Sequence, residues 1–143
     1  MMTSEDYAKI KQLIDRYGQA VDKADAKSLA ACYTADVQII VPGMPVMSGP
    51  DISEMQVQGV KNTFEKTQHR MFNIIYDVVG DTAEGETYCS ALHIIKTGDM
   101  GKPVVLEWLI RYQDKLVRQD NEWKIQRREL IVDWEEQRSI YSA

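Results

Sequence analysis

The chain has 143 residues, of which 44% are hydrophobic and 27% are charged, and its formal net charge is −5. This length predicts one domain over residues 1–143, and the composition excludes a disordered chain. The acidic balance argues against nucleic-acid binding, which usually requires a basic face.

The start of the chain is acidic at Glu5 and Asp6, where a secretory signal would be basic and then apolar. No apolar run in the sequence approaches the length of a bilayer. The two cysteines, Cys32 and Cys89, form neither a CxxC pair nor a disulfide framework, so we expect reduced core thiols. We therefore expect a cytoplasmic protein with no membrane partner.

The first third of the chain has helical periodicity. A helix capped by Thr3 or Ser4 and ending near Asp22 is predicted by apolar side chains every three or four residues, namely Tyr7, Ile10, Leu13, Ile14, Tyr17 and Val21. Asp25 is the expected N-cap of a short second helix. A strand over 37–41 should precede a third helix over about 51–66.

The remainder of the chain has the pattern of long strands. We expect them over 71–79, 87–97, 104–118 and 123–134, with a break between the second and third at Gly98–Gly101. Helices followed by an antiparallel meander predict an α+β domain. Strands of this length must curl, and helices closing a curled sheet would leave an interior cavity.

This order of elements resembles the SnoaL-like branch of the NTF2-like superfamily, which implies a cone-shaped fold. The resemblance rests on five short segments that follow in the right order along nearly the whole chain. They are Tyr17–Asp22, Gln68–Arg70, Gly80–Ala83, Arg111–Asp114 and Asn121–Ile125. Members of this superfamily include both enzymes and non-catalytic subunits, so the fold alone does not assign an activity.

One enzyme group in the superfamily has an aspartate and a histidine at the positions of Asp22 and His69. This group includes scytalone dehydratase, bile acid dehydratase and hexachlorocyclohexane dehydrochlorinase. The resemblance further implies catalytic roles for Tyr17 and Arg128. It is incomplete, because Ala91 replaces an acidic residue of the bile acid enzyme.

The residues themselves leave alternatives open. Asp22 ends a helix, where an acid is unfavourable. Unlike Asp25, Asp22 has no capping role, and this difference favours a functional role for Asp22. The strand pattern does not settle which way His69 points. Arg127 and Arg128 point to opposite faces, so at most one enters the cavity, and the alternative for Arg128 is a salt bridge to a surface acid such as Glu107 or Asp114.

Two further strands offer candidate substrate-binding residues. Small side chains at Cys89 and Ala91 alternate with His93 on one face, which would leave room for a ligand, although a buried and satisfied histidine is an equal alternative. Trp108 and Tyr112 share a face of the next strand, where an aromatic row is more commonly core. Neither a metal-ligand set nor a phosphate or dinucleotide motif is present in the sequence.

These inferences predict a cofactor-independent lyase of the dehydratase type that acts on a small hydrophobic cyclic molecule. An imidazole with a reference pKa of about 6.5 suits proton abstraction near neutral pH. A SnoaL-like cyclase or isomerase, or a non-catalytic protein that binds a small ligand, is the alternative. The resemblance also implies a homo-oligomer, with a homotrimer favoured over a homodimer.

Overall fold

A computed structural model describes residues 1–96 and 101–143. Three helices and six strands form the described part of the chain, in the order α1 (Ser4–Asp22), α2 (Ala26–Ala30), β1 (Tyr33–Ile40), β2 (Met47–Ser48), α3 (Ile52–Thr63), β3 (Phe64–Val79), β4 (Thr82–Ile95), β5 (Val104–Gln119) and β6 (Glu122–Ser139). The strands make one sheet in the order β2-β1-β6-β5-β4-β3. The helices pack on this curved sheet as a cone, which confirms the predicted α+β, NTF2-like fold.

Helix α1 begins at a capping box. The Thr3 hydroxyl accepts the backbone N–H of Asp6, and the carboxylate of Asp6 accepts the backbone N–H of Thr3 in return. Thr3 is therefore the cap, and Ser4 is the first helical residue. The predicted apolar stripe is buried from Ile10 to Val21, while Tyr7 is exposed, and this face packs mainly on β3.

Several predicted boundaries were wrong. Helix α3 ends at Thr63 and β3 begins at Phe64, although we expected the helix to reach about residue 66 and the strand to begin at residue 71. Pairing explains the difference, because Phe64 lies opposite Ile95 and the ladder hydrogen bonds outweigh local helix preference. Strand β4 likewise begins at Thr82 rather than Thr87. The predicted break at Gly98–Gly101 falls mainly on residues 97–100, which lie outside the described residues.

The core lies between the concave face of the sheet and the three helices. Its members are apolar, and the central ones are Ile10, Ile14, Leu29, Val37, Leu116 and Ile125. Within the described ranges, no helix is long and apolar enough to cross a bilayer.

Candidate active site

The cone encloses a cavity of about 400 Å³ between α1, α3 and the sheet. A cavity of this size suits a small molecule. Most of its lining is apolar, and its polar or aromatic members are Tyr17, Gln56, Thr63, Phe64, His69, His93, Trp108, Tyr112 and Arg128. Seven of the nine residues predicted for the site line this cavity, namely Tyr17, His69, Ala91, His93, Trp108, Tyr112 and Arg128. The other two, Asp22 and Cys89, do not line it.

An irregularity in β3 directs His69 inward. Regular alternation would place His69 on the face of Ile75, opposite Ile74 and Tyr76. Met71 pairs with Cys89 but Ile74 pairs with Thr87, so β3 contains one extra residue, which is a β-bulge. Because of this bulge, His69 shares the inner face with Ile74 and Tyr76, while Ile75 is 73% exposed. In the folded chain His69 and Ile75 therefore lie on opposite faces of β3.

Asp22 makes three hydrogen bonds, two of them with His69 and one with Thr67. The Nδ1 atom of His69 lies 2.7 Å from Oδ1 of Asp22, and the backbone N–H of His69 donates to Oδ2 at 2.8 Å. The hydroxyl of Thr67 donates to Oδ1 at 2.9 Å. Asp22 lies behind the imidazole as seen from the cavity, because His69 borders the cavity and Asp22 does not. The aspartate at the end of α1 and the histidine of β3 thus form one unit, the His69–Asp22 pair.

The ionisation of Asp22 determines the tautomer of His69. Burial by itself would raise the pKa of Asp22, but the hydrogen bonds from His69 and Thr67 outweigh it and lower the pKa. An ionised carboxylate can only accept hydrogen bonds, so Nδ1 of a neutral His69 must carry the proton. The lone pair then resides on Nε2, which Asp22 leaves free. This arrangement can accept a proton on the cavity side.

A second bulge, in β6, determines which arginine enters the cone. Ile125 pairs with Leu116 and Arg127 pairs with Lys115, so one extra residue lies between them. Regular alternation from Ile125 would turn Arg127 inward. The bulge turns Arg128 inward instead, where it is 0% exposed, and Arg127 pairs with Glu129 outside.

Arg128 is bound by a buried carboxylate. Its Nε and Nη2 atoms donate to the two oxygens of Asp114 at 2.7 and 2.6 Å, and both side chains are fully buried. Burial alone would lower the pKa of Arg128, but the charge and hydrogen bonds of Asp114 raise it well above the usual range. The guanidinium lies 4.3 Å from the ring centre of Tyr17 and 4.1 Å from that of Tyr112. This Arg128–Asp114 pair is a fixed charge pair beside the cavity.

His93 is buried and also lines the cavity. The two alternatives for it, a ligand-facing residue and a buried, satisfied histidine, therefore both apply. Its Nδ1 lies 3.1 Å from the carbonyl oxygen of Leu106, and its ring centre lies 4.3 Å from that of Phe64 and 4.8 Å from that of Trp108. Burial lowers the pKa of His93 to about 4. Its ring centre is 6.0 Å from that of His69. His93 is therefore neutral at neutral pH and presents Nε2 without a proton.

The acid that binds Arg128 is one of the two named as alternatives, but it does not lie on the surface as expected. Glu107 pairs with Arg138, and Asp114 is buried rather than a surface acid. The sequence contains a signal for this, because Asp114 alternates with the buried Tyr112 and Leu116 on one strand face. Thr67 was missed altogether, since the predicted strand began after it.

The sequence predicted no metal site. Within 1–96 and 101–143, no group of three or more His, Cys, Asp or Glu side chains could hold a metal ion. Cys89 is buried in the core, and burial raises the pKa of its thiol to about 12. It therefore stays protonated at neutral pH, and it does not line the cavity.

A family model described as a SnoaL-like domain matches residues 2–129. The chain belongs to this SnoaL-like family. A search of curated proteins found no match. The family assignment confirms the resemblance inferred from the short sequence segments, and the matched range runs from α1 into β6.

Solved structures show the same fold. A scytalone dehydratase-like protein from Novosphingobium aromaticivorans has a TM-score of 0.80 and 23% identity, over 96% of this chain and 91% of that chain. A hexachlorocyclohexane dehydrochlorinase from Novosphingobium barchaimii has a TM-score of 0.81 and 20% identity, over 96% and 93%. A protein of unknown function from Mycobacterium tuberculosis has a TM-score of 0.76 and 26% identity, over 90% and 72%.

Proposed function

We propose that this SnoaL-like chain is a cofactor-independent lyase that eliminates water or halide from a small hydrophobic ring compound. The observation that carries the proposal is the orientation of His69, whose Nδ1 lies 2.7 Å from Asp22 while its ring borders the cavity. A base held in one orientation beside a cavity is suited to remove a proton from a bound molecule.

In the proposed reaction, Nε2 of His69 takes a proton from a carbon next to the one that carries the leaving group. The electrons of the broken C–H bond form the new double bond, and the leaving group departs with its bonding pair. Asp22 stabilises the imidazolium ion that forms, as the acid of a catalytic triad does, and keeps the ring in the productive tautomer. The apolar lining of the cavity supports a hydrophobic substrate.

Tyr17 is the proposed acid that assists the leaving group. Burial raises the pKa of Tyr17, so its phenol keeps its proton at neutral pH. The nearby guanidinium of Arg128 stabilises negative charge that develops on the substrate or the leaving group. His93, Ala91, Trp108 and Tyr112 are the proposed substrate-binding wall.

Product mass tests the reaction class. The protein would be incubated with cyclic alcohols and halides, including scytalone and hexachlorocyclohexane, which the names of two structural neighbours suggest. We expect a product lighter by one water or one hydrogen halide. A rearranged product of unchanged mass would support the cyclase or isomerase instead, and the absence of any product would favour a binding protein.

A variant links the activity to His69. We expect His69→Asn to lower the elimination rate by roughly 10²- to 10⁴-fold, the usual contribution of a general base. Asp15→Asn is the matched control, because Asp15 lies on the same helix as Asp22 but pairs with Lys11 on the surface. Equal rates for His69→Asn and the wild type would rule out His69 as the base.

We also propose that the chain forms a homo-oligomer, with the trimer favoured. Exposed large apolar side chains support an additional contact surface, among them Phe72, Ile75, Tyr88 and Trp134. Sedimentation equilibrium measures the mass of the assembly, and a monomer at micromolar concentration would contradict this proposal.

A further inference from the structure

Arg128 has a polar atom that the described part of the chain does not satisfy. Its Nη1 atom is buried without a hydrogen-bond partner, whereas Nε and Nη2 both donate to Asp114. A buried donor without a partner loses the hydrogen bonds that water would provide. Among residues 1–96 and 101–143, Nη1 of Arg128 is also the only buried side-chain nitrogen or oxygen atom without a hydrogen-bond partner.

The hydrogen bonds of the Arg128–Asp114 pair leave this donor on the edge of the guanidinium that does not bind Asp114. Arg128 lines the cavity, but Asp114 and the two hydroxyls in its network, Tyr76 and Thr87, do not. The edge of the guanidinium that binds Asp114 therefore faces away from the cavity. The rings of Tyr17 and Tyr112 lie within 4.3 Å of the guanidinium and restrict its movement. Within the described residues, Nη1 is thus the one guanidinium nitrogen of Arg128 without a partner, in a side chain whose position is fixed.

The charges around the cavity discriminate against anions. Among the described residues that line it, Arg128 is the only arginine, lysine, aspartate or glutamate, and Asp114 already balances its charge. Asp22 adds a second carboxylate behind His69, and His93 is neutral because burial lowers its pKa to about 4. The carboxylates therefore outnumber the guanidinium, and an anionic ligand would lose hydration without gaining an unpaired positive charge.

We propose that the substrate carries an uncharged carbonyl oxygen that accepts a hydrogen bond from Nη1 of Arg128, and that the cavity rejects the corresponding carboxylate. A carbonyl also acidifies the adjacent C–H bond, and the hydrogen bond would stabilise the enolate left after its proton moves to His69. The inference rests on the proposed function in taking this cavity as the substrate site. It does not require His69 to be the base.

Three naphthalene probes of nearly equal shape separate the effects of charge and hydrogen bonding. They are 2-acetylnaphthalene, which has a neutral carbonyl, 2-naphthoate, which is anionic, and 2-ethylnaphthalene, which has no acceptor. Calorimetric titration of the full chain at pH 7.5 gives each Kd. We expect the ketone to bind about tenfold or more tightly than the hydrocarbon, as for a hydrogen bond to a charged group, and the carboxylate to bind most weakly.

Other outcomes overturn the inference. Tightest binding of the carboxylate would show that Asp114 does not cancel the charge of Arg128. Equal binding of ketone and hydrocarbon would show that Nη1 does not serve the ligand, as would failure of the ketone to bind at millimolar concentration. These measurements on the wild-type protein are decisive whether or not variants at Arg128 fold.

Two variants test the role of Arg128 separately from that of His69. If Arg128→Lys folds, as judged by circular dichroism, the advantage of the ketone over the hydrocarbon should fall to within about twofold, because a lysine lacks the second amino nitrogen of a guanidinium. An undiminished advantage would contradict the inference. His69→Asn should keep the preference for the ketone even where elimination is lost, so the failure of the proposed lyase and the failure of this inference are distinguishable.

Discussion

Two aspartates support one cavity, but their surroundings differ. Asp22 lies at a helix end with its side chain 19% exposed and holds a histidine that can gain or lose a proton. Asp114 lies in the middle of a strand with its side chain 0% exposed and holds an arginine that stays charged. The partner of Asp22 can change its charge, whereas the charge of the partner of Asp114 stays constant.

This difference in burial predicts which pair affects activity and which affects stability. The His69–Asp22 pair borders solvent on one side, so water can compensate when one member is replaced. The Arg128–Asp114 pair has no such compensation, because a lone buried charge keeps its full cost of desolvation. We therefore expect loss of the first pair to affect activity and loss of the second to affect stability.

The largest effect is expected for Asp22→Asn. An asparagine keeps the shape but does not stabilise an imidazolium, so kcat/KM should fall by roughly 10²- to 10⁴-fold. Steady-state kinetics with a substrate from the elimination screen measures this loss. Asp15→Asn should retain the wild-type rate. An Asp22→Asn variant with full activity would remove the contrast between the pairs and the proposed mechanism with it.

Replacement of Asp114 by asparagine should cost about 3–5 kcal/mol of stability, because it leaves Arg128 charged and unpaired in the core. Urea unfolding at pH 7 measures the change. The matched control is Asp133→Asn, which breaks a surface pair with Arg111 and should cost far less stability than Asp114→Asn. Similar losses for the two variants would contradict the assigned role of burial.

The double variant Arg128→Met with Asp114→Leu sharpens this test. Removing both charges leaves no unpaired ion, so we expect it to be more stable than Asp114→Asn alone. Its preference for a neutral carbonyl should nevertheless be absent. A double variant less stable than the single one would indicate that the pair stabilises the fold through its network with Tyr76 and Thr87.

His93 allows a prediction about pH. Its pKa is lowered to about 4 in the folded chain by burial, against a reference value of about 6.5, so the unfolded chain binds more protons between these values. This contribution to stability is complete above about pH 6.5 and is lost progressively down to about pH 4, to a total of roughly 3 kcal/mol. Urea unfolding from pH 7 to 4 should show a shallower slope for His93→Gln. Parallel curves would contradict the lowered pKa.

The smallest effect concerns the glycine on α1 that faces His69. A methyl group on Gly18 would lie 3.3 Å from Cβ of His69 and 2.9 Å from Cε of Met71. Gly18→Ala should therefore change stability by less than about 1 kcal/mol, because a better helix residue offsets the contact, but lower activity several-fold by displacing the pair. Gly59→Ala on α3, which has open space, should be stabilising by about 0.5–1 kcal/mol. Unfolding and kinetics of both variants test this.

The order of helices and strands was predictable because it follows from periodicity. The stripe of α1 and the cap at Asp25 depend on neighbouring residues only, and both are present. The start of β3 at Phe64 was not predictable, since it depends on pairing with Ile95, which is remote in sequence. Local patterns thus predict elements, while tertiary hydrogen bonds set their ends.

For the site, the contact between Asp22 and His69 followed from family resemblance rather than from spacing. The direction of the side chains did not follow from alternation, because single extra residues in β3 and β6 reverse it beside His69 and before Arg128. Bulges have no clear sequence signal. Their position next to both charged pairs agrees with the known use of bulges to redirect side chains at sites.

Strand β6 lies between β1 and β5, so the last strand of the described chain occupies the middle of the sheet. Its parallel contact with β1 joins Ile39 to Arg128, across most of the sequence. Contacts between such distant residues form slowly, because a long loop must close first. Until β6 is inserted, β1 and β2 have no partner in the rest of the sheet, and the cavity lacks its arginine. During refolding, recovery of ligand binding should therefore coincide with the slowest step of sheet formation.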